Sequence, residues 1–348
     1  MRSPVSAIAF TLACLTVATA KPNYAQISSA TLTQANTYLQ AGQADEAIAL
    51  LAPLPTSGAG AAQAQNLLCR VRFTLQQWSQ AAANCQQAVN LDEQNSDDHM
   101  WLGRVLGRQA SHASFLSAYG IAKHSLSEMQ TAVKLNPQNG PALSDLGDYY
   151  AQAPGIAGGG TDKAQAIAAQ LDKVDSARAQ QLRGDIAMAQ KDYTTAENEY
   201  RQAVAAAEES ADYWSVLANF YRSRQQWSDL DSAIQGCITA VAKDKSSSFA
   251  LYDGAGVLIA AKRNPALAAQ MLENYLSSSS MTEDAPAFVA HILLSRLKQQ
   301  LGDAAGAKAH RPHCIAIIFC RRQYDCSRRQ GIETYFLQHG QATFAGHI

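Results

Sequence analysis

Pro154 to Ala164 reads Pro-Gly-Ile-Ala-Gly-Gly-Gly-Thr-Asp-Lys-Ala, and it is the stretch of this chain that most invites ligand chemistry. Successive backbone N–H groups ahead of a helix N-terminus can cradle an anion such as a phosphate. A nucleotide loop, however, needs Lys directly after the last Gly and then Ser or Thr, so that the ammonium reaches the β- and γ-phosphates. Here Thr161 and Asp162 stand between Gly160 and Lys163, and no strand precedes. The stretch is therefore read as an enlarged turn between helices, where Gly admits φ > 0 without steric cost. Thr161 is expected to be the N-cap of the next helix, with Asp162 favouring its positive end. A local contact for a partner is the other role left open.

His310, His313, Cys314, Cys320 and Cys326 have metal-ligand chemistry but not metal-ligand spacing. No Cys-x-x-Cys or His-x-x-x-His pair places two ligands on one turn, so no metal is expected. Asp97-Asp98-His99 opens a helix, and its acids are explained as charges favoured at a helix N-terminus. His291 falls on a helix as a packed or surface imidazole, and Ser277 to Ser280 read as a solvated linker. No base stands beside a nucleophile, so no enzyme is expected. No cofactor is implied.

The elements that would carry these residues follow a period of about 34 residues. The clearest copy runs Trp214, Leu217-Ala218, Tyr221, then Trp227, Leu230, Ile234 and Cys237. Others centre on Ala35 to Leu54, Leu68 to Ala88, Trp101 to Met129, Leu143 to Ala164, Gly184 to Ala203 and, more loosely, Tyr252 to Tyr275; an eighth begins at Leu294, Gly302 and Ala307. The third copy is longer than the rest between Gln109 and Lys123, which predicts extended helices. Each unit is a helix pair that cannot bury its apolar face alone, so copies stack and leave a groove. Aromatics at 7% within 47% hydrophobic content, with Ala and Gln abundant, suit closely packed helices and predict almost no strand.

Cys69 and Cys85 fall where the two helices of the second unit approach closely. They are read either as a disulfide stapling that hairpin or as two buried thiols, with the disulfide preferred. Cys237 takes a small core position.

Arg2, the apolar run Val5 to Val17 and the Ala18-Thr-Ala20 signature read as a secretory leader, residues 1–26, with a second cut offered after Ala25. Lipidation at Cys14 is disfavoured by Thr11. Export permits disulfides. No later run is long enough to span a bilayer, so no membrane insertion is expected after cleavage. The 28 Lys+Arg against 29 Asp+Glu provide no field for nucleic acid, and none is expected as a partner. The charge is unevenly spread. From residue 311 five Arg oppose Asp325 and Glu333, a net of +3, while the body without Arg2 holds 22 basic against 27 acidic residues, or −5. Around Arg311-Pro312 the eighth unit breaks inside its second helix, and residues 311–348 read as an atypical tail. It is either genuine sequence with its own role or a run translated out of frame. The second is preferred, because the break is not at a linker.

The whole array over residues 27–310 resembles tetratricopeptide-repeat proteins. Its segments Cys69 to Cys85, Trp101 to Gly107 and Pro154 to Ala164 are similar to those of exported bacterial members of undescribed function. The resemblance implies an all-α, right-handed α-α superhelix of about seven to eight helical hairpins, and a binding scaffold without catalysis. It also implies where a partner would sit. Carrying over the family's groove-lining positions gives Arg104, Arg108, Asp148, Asp185, Asn219 and Arg222. Arg104 and Arg108 lie four apart, on one helical face, where they could grip a carboxylate with forked hydrogen bonds; for most of the six, the preferred alternative is a simply solvated inner face. The expected partner is a protein or peptide, held by a periplasmic or secreted adaptor of envelope assembly or secretion; an accessory subunit presenting substrate to an enzyme, or a purely structural solenoid, are the alternatives.

Overall fold

A computed structural model describes residues 26–207, 210–278 and 281–310. Residues 1–25 of the proposed leader and the whole proposed tail, with His313, Cys314, Cys320 and Cys326, lie outside the described residues.

Among the described residues are fifteen complete α-helices, a further helical stretch at 304–310, two short 3-10 turns and no strand. The helices pair in chain order. The first hairpin joins α1 (Ser29–Gln40) to α2 (Ala44–Leu51), the second α3 (Ala61–Thr74) to α4 (Trp78–Leu91), and the third α5 (Ser96–Ser111) to α6 (Phe115–Leu135). Next come α7 (Gly140–Gln152) with α8 (Thr161–Leu171), α9 (Ser176–Ala189) with α10 (Tyr193–Ala206), α11 (Asp212–Ser223) with α12 (Trp227–Lys243), and α13 (Phe249–Ala260) with α14 (Pro265–Leu276). Finally α15 (Ala287–Gln300) turns at Gly302 into helical residues 304–310, and Ser295 Oγ donates to the Ala307 carbonyl across that pair at 2.8 Å. First helices touch first helices of neighbouring hairpins, α1 with α3, α3 with α5, α5 with α7, α7 with α9 and α11 with α13. They form the inner layer of an α-α superhelix. The extra length of the third unit goes into α5 and α6, of 16 and 21 residues, as expected.

Six of the turns inside hairpins are built alike. Gly42, Gln76, Lys191, Gln225, Lys262 and Gly302 all adopt positive φ, between 53° and 84°. In each case the next N–H reaches back to a carbonyl five residues earlier, as from Gln77 to Arg72 (2.8 Å) and from Gln226 to Tyr221 (2.9 Å). This six-to-one bond satisfies a carbonyl the ending helix would otherwise leave unpaired. Only two of the six positions are glycine, so each Gln or Lys carries about 1–2 kcal/mol of left-handed strain that the stacked helices hold in place.

The fourth hairpin departs from this pattern through its glycine stretch. The Gly158, Gly159 and Gly160 amides donate to the carbonyls of Gly155 (3.0 Å), Pro154 (3.2 Å) and Tyr150 (2.8 Å). Lys163 Nζ turns back to the Gly158 carbonyl at 2.8 Å. The amides a phosphate would need are therefore spent inside the loop, which is a turn. The buried Tyr149 hydroxyl reaches the Ala157 carbonyl (2.9 Å) and the Ala122 carbonyl (3.2 Å), pinning the loop to α6. One detail corrects the sequence reading: Thr161 is the first helical residue rather than the N-cap, and Gly160 before it offers no capping side chain.

Small residues let the layers close. A Cβ on Gly184 would sit 2.4 Å from the Tyr200 ring, so the glycine is what admits that ring between α9 and α10. Tyr149, Tyr221 and Tyr275 are among the largest fully buried side chains. Cys237 is buried, with its thiol directed at the Ala250 carbonyl (3.3 Å), and burial pushes that thiol far up.

Cys69 and Cys85 are bonded, tying α3 to α4 with Cα atoms 5.2 Å apart. Closing a loop across a separation of 16 residues is worth about 3 kcal/mol in the chain-entropy model. Cys69→Ala/Cys85→Ala, or treatment with dithiothreitol, should therefore lower the urea midpoint, with a slope equal or steeper because the unbridged unfolded chain is more expanded; an identical midpoint with and without reductant would show that the bridge contributes nothing.

The array also meets its own beginning. The Met281 amide, between α14 and α15, donates to the Gln40 carbonyl at the end of α1 (2.9 Å). Arg70 of α3 pairs with Glu283, its Nε 2.5 Å from Oε1. A Cβ on Gly42 would come within 2.8 Å of Ala287 Cβ, so the first turn and the start of α15 are in direct apposition. Of the serines read as a solvated linker, Ser277 is exposed and Ser278 is bonded to the Ser248 hydroxyl (3.0 Å), while Ser279 and Ser280 lie outside the described residues. No described helix is long and apolar enough to cross a membrane.

Candidate functional site

The inner layer places all six expected groove residues on first helices: Arg104 and Arg108 on α5, Asp148 on α7, Asp185 on α9, and Asn219 with Arg222 on α11. Four successive hairpins therefore contribute. Their charged partners show that the inner faces converge, because Asp284 lies within electrostatic reach of Arg104, Asp145 and Asp253, which belong to the third, fourth and seventh hairpins.

Arg104 does hold a carboxylate in a fork, but the carboxylate is the chain's own. Nε meets Asp145 Oδ2 at 2.5 Å and Nη2 meets Oδ1 at 3.2 Å, joining α5 to α7. Its guanidinium also lies 4.9 Å from the centre of the Trp101 ring. Burial raises the Asp145 carboxyl above its usual range even though Arg104 pulls it down. Arg108 is less committed, 3.8 Å from Asp284.

Among the described residues none donates a hydrogen bond to Asp148. Burial pushes its carboxyl well up, and the neighbouring carboxylates Asp185 and Asp145 push it further. Asp185 accepts from the Tyr200 hydroxyl (2.7 Å) through one oxygen, while its other oxygen is buried without a partner. Its carboxyl is raised to about 7 by burial, against the opposing hydrogen bond of Tyr200. Both carboxylates are half-buried. Protein surrounds both, and the lost hydration disfavours the charged form. On α11, Arg222 Nε donates to Asn219 Oδ1 (3.0 Å), forms no ion pair, and has its charge disfavoured by burial.

Several inner-face residues were not singled out from sequence. Asp145 lies three residues before Asp148, so the helical period could have found it. Asp253 on α13 is raised well above the ordinary range by burial, Asp212 and Asp284. Arg70 and Glu283 carried no motif. Asp98, read above as a helix-end charge, is 2% exposed, accepts from Asn66 Nδ2 at 2.6 Å and is pushed up to about 6 by burial. It stands in the first turn of α5, as expected, and also links α5 to α3. His99 and His291 are likewise engaged, His99 Nδ1 at 2.6 Å from Glu128 Oε2 and His291 Nδ1 at 3.0 Å from His310 Nδ1. Among the described residues no group of three or more His, Cys, Asp or Glu side chains could hold a metal ion.

Charge is unevenly spread along this surface. Arg70, Arg104 and Arg108 come from the second and third hairpins, and Asp145, Asp148, Asp185, Asp212 and Asp253 come from the fourth to the seventh with Arg178 and Arg222 among them.

No protein-family model matches the chain, and no curated protein matches it. Solved structures do resemble it. A thermophilic TPR protein of Thermus thermophilus is 19% identical, with a TM-score of 0.47 over 55% of this chain and 97% of its own. A tetratricopeptide repeat protein from Parabacteroides merdae is 11% identical, with a TM-score of 0.43 over 89% of this chain and 96% of its own. The C-terminal part of a TPR repeat-containing protein from Cytophaga hutchinsonii is 13% identical, with a TM-score of 0.39 over 73% of this chain and 97% of its own.

Proposed function

We propose that this protein is an exported, non-catalytic scaffold that holds a peptide segment of a protein partner in its concave groove, as an adaptor in envelope assembly or secretion. Superhelices of stacked hairpins present extended concave surfaces that serve protein binding. The observation that supports the reading is a row of inner-face polar groups whose bonding capacity is only partly used among the described residues. There Asp148 accepts no hydrogen bond, Asp185 accepts only through Oδ1, and Arg222 is bonded to Asn219 but has no ion pair, although burial disfavours the charge on all three. Groups held in that condition lose part of their hydration and regain hydrogen bonds when a ligand supplies them. Asp148 and Asp185 would receive donors from the bound segment, and Arg222 would donate to its backbone or side-chain oxygens.

The test is capture of partners from the periplasmic fraction of a bacterial host by the mature chain and by Asp148→Ala/Arg222→Ala. If the groove is the site, the variant should keep its helical circular dichroism and bind the captured partner roughly tenfold or more weakly, the loss expected for one or two strong contacts. Equal capture by both chains would remove the groove from consideration. Retention of the full chain in the cytosol would refute the exported setting.

A further inference from the structure

Between α14 and α15 the chain could have crossed by a short turn, as it does between α12 and α13. Instead Met281 to Ala287 leans across to the beginning of the array. Tyr275 anchors its near side, the hydroxyl donating to the Ala285 carbonyl at 2.6 Å. On its far side, Met281 N–H reaches the Gln40 carbonyl at 2.9 Å. What lies between is an acidic pair. Glu283 takes Arg70, and Asp284 approaches Arg108 at 3.8 Å.

The receiving surface is built, not incidental. Trp101 of α5 is 7% exposed, and its ring supports two guanidiniums, Arg70 at 5.3 Å and Arg104 at 4.9 Å from the ring centre. A ring face holds cations by its quadrupole and orients their planes, which leaves the donor edges for carboxylates. Phe73 fixes that ring in turn, edge-on at 5.6 Å. One carboxylate, Asp145, belongs to the inner wall. The other two arrive on the Met281 to Ala287 segment. That segment is held by these two ion pairs, one main-chain hydrogen bond to Gln40, the apposition of Ala287 with Gly42 and, at its C-terminal end, the Tyr275 bond to the buried Ala285, while Asp284 remains 46% exposed.

We propose that Glu283 and Asp284 are an internal ligand, occupying a carboxylate-recognition site formed by Arg70 and Arg108 beside Trp101, and that an acidic peptide of the partner takes this site by displacing the Met281 to Ala287 segment. The inference rests on the groove reading and adds the chemistry of one end of the bound segment. A tethered occupant competes at millimolar effective concentration, so the intact chain binds weakly until its partner exceeds that competition. Displacement also parts the contact between the first and last hairpins, so binding and opening are one event.

The probe is a fluorescent synthetic copy of residues 281–287, with a control copy in which both acids are amides. Glu283→Gln/Asp284→Asn should bind the acidic probe about tenfold or more tightly than the unaltered chain, since the competing occupant is weakened. Adding Arg70→Gln to that variant should abolish the gain, and the amide control should bind neither chain. The unaltered chain gives a second readout that no folding defect can obscure. At saturating acidic probe, hydrogen exchange in residues 281–287 should accelerate, because the bond from Met281 to Gln40 is lost. Equal probe affinity for the two chains, no binding to the variant, or unchanged exchange at saturation would each overturn the proposal. The Asp148→Ala/Arg222→Ala capture experiment is read at hairpins four and six, so its failure is distinguishable from these.

Discussion

Gly159→Ala should lower the unfolding free energy by about 3 kcal/mol or more, a large loss for one methyl group. The added Cβ would stand 1.8 Å from the Ala153 carbonyl oxygen and 2.6 Å from its carbon. Both atoms are backbone, so no rotamer change relieves the overlap, and the turn itself must open. Opening breaks the bonds from Gly159 to Pro154 and from Gly160 to Tyr150, and it loosens the Tyr149 hydroxyl that pins the loop to α6. Two glycines supply controls from the same region. Gly155→Ala and Gly120→Ala meet nothing within 4 Å, and Gly120 lies inside α6, where alanine is favoured by roughly 1 kcal/mol. Urea denaturation of the three variants is the measurement. A Gly159→Ala midpoint equal to that of Gly155→Ala would mean that the close approach at Ala153 is not what the glycine is for.

Arg104→Met is the second large effect, and its expected loss is about 2–3 kcal/mol. Removing one partner of a buried pair leaves the other charged and uncompensated, which costs about 3–5 kcal/mol when burial is complete. Here Arg104 and Asp145 are 24% and 18% exposed, so water offsets part of that cost. Burial already raises the Asp145 carboxyl, and Arg104 is the first of the groups opposing it. Without Arg104 the carboxyl rises further, so the folded variant binds a proton that the unfolded chain has released. Between the ordinary carboxylate value and that raised value, stability therefore increases as pH falls. The variant should recover part of its deficit in going from pH 8 to pH 5, and Arg104→Met/Asp145→Leu should be more stable than Arg104→Met at pH 8. A deficit independent of pH, with additive double-mutant energies, would show that the ion pair is not its origin. The same logic cautions against using Arg104→Ala to probe partner binding, since it disturbs the junction of α5 and α7 as well.

The hairpin count was legible because the bulky and small positions recur at a spacing the eye can align, from Leu68 to Ala88 and again from Trp214 to Cys237. The bridge between Cys69 and Cys85 was legible for the same reason: the repeat places both on facing surfaces. The turns were not. Gln76, Lys191 and Gln225 bear side chains with no preference for positive φ, and only their position in the period reveals them; Gly42 to Gln76 and Lys191 to Gln225 each span 34 residues. The groove was half legible. First-helix positions gave Asp148, Asp185 and Arg222, but a fork needs two ends, and nothing local indicates that Arg104 faces a carboxylate 41 residues away. Glu283 was less accessible still. It meets Arg70 across 213 residues of chain, in a segment without any motif.

The contact of Met281 with Gln40 and of Gly42 with Ala287 has a bearing on how such a chain can change over generations. Open stacks grow or shrink by duplicating or deleting a unit, because every internal seam is alike and the two ends are indifferent to one another. Here the ends are fitted together, and the fit depends on how many units intervene. A duplicated hairpin would carry Glu283 past Arg70, and a deleted one would leave it short, so the number of units between Gln40 and Met281 is held by geometry.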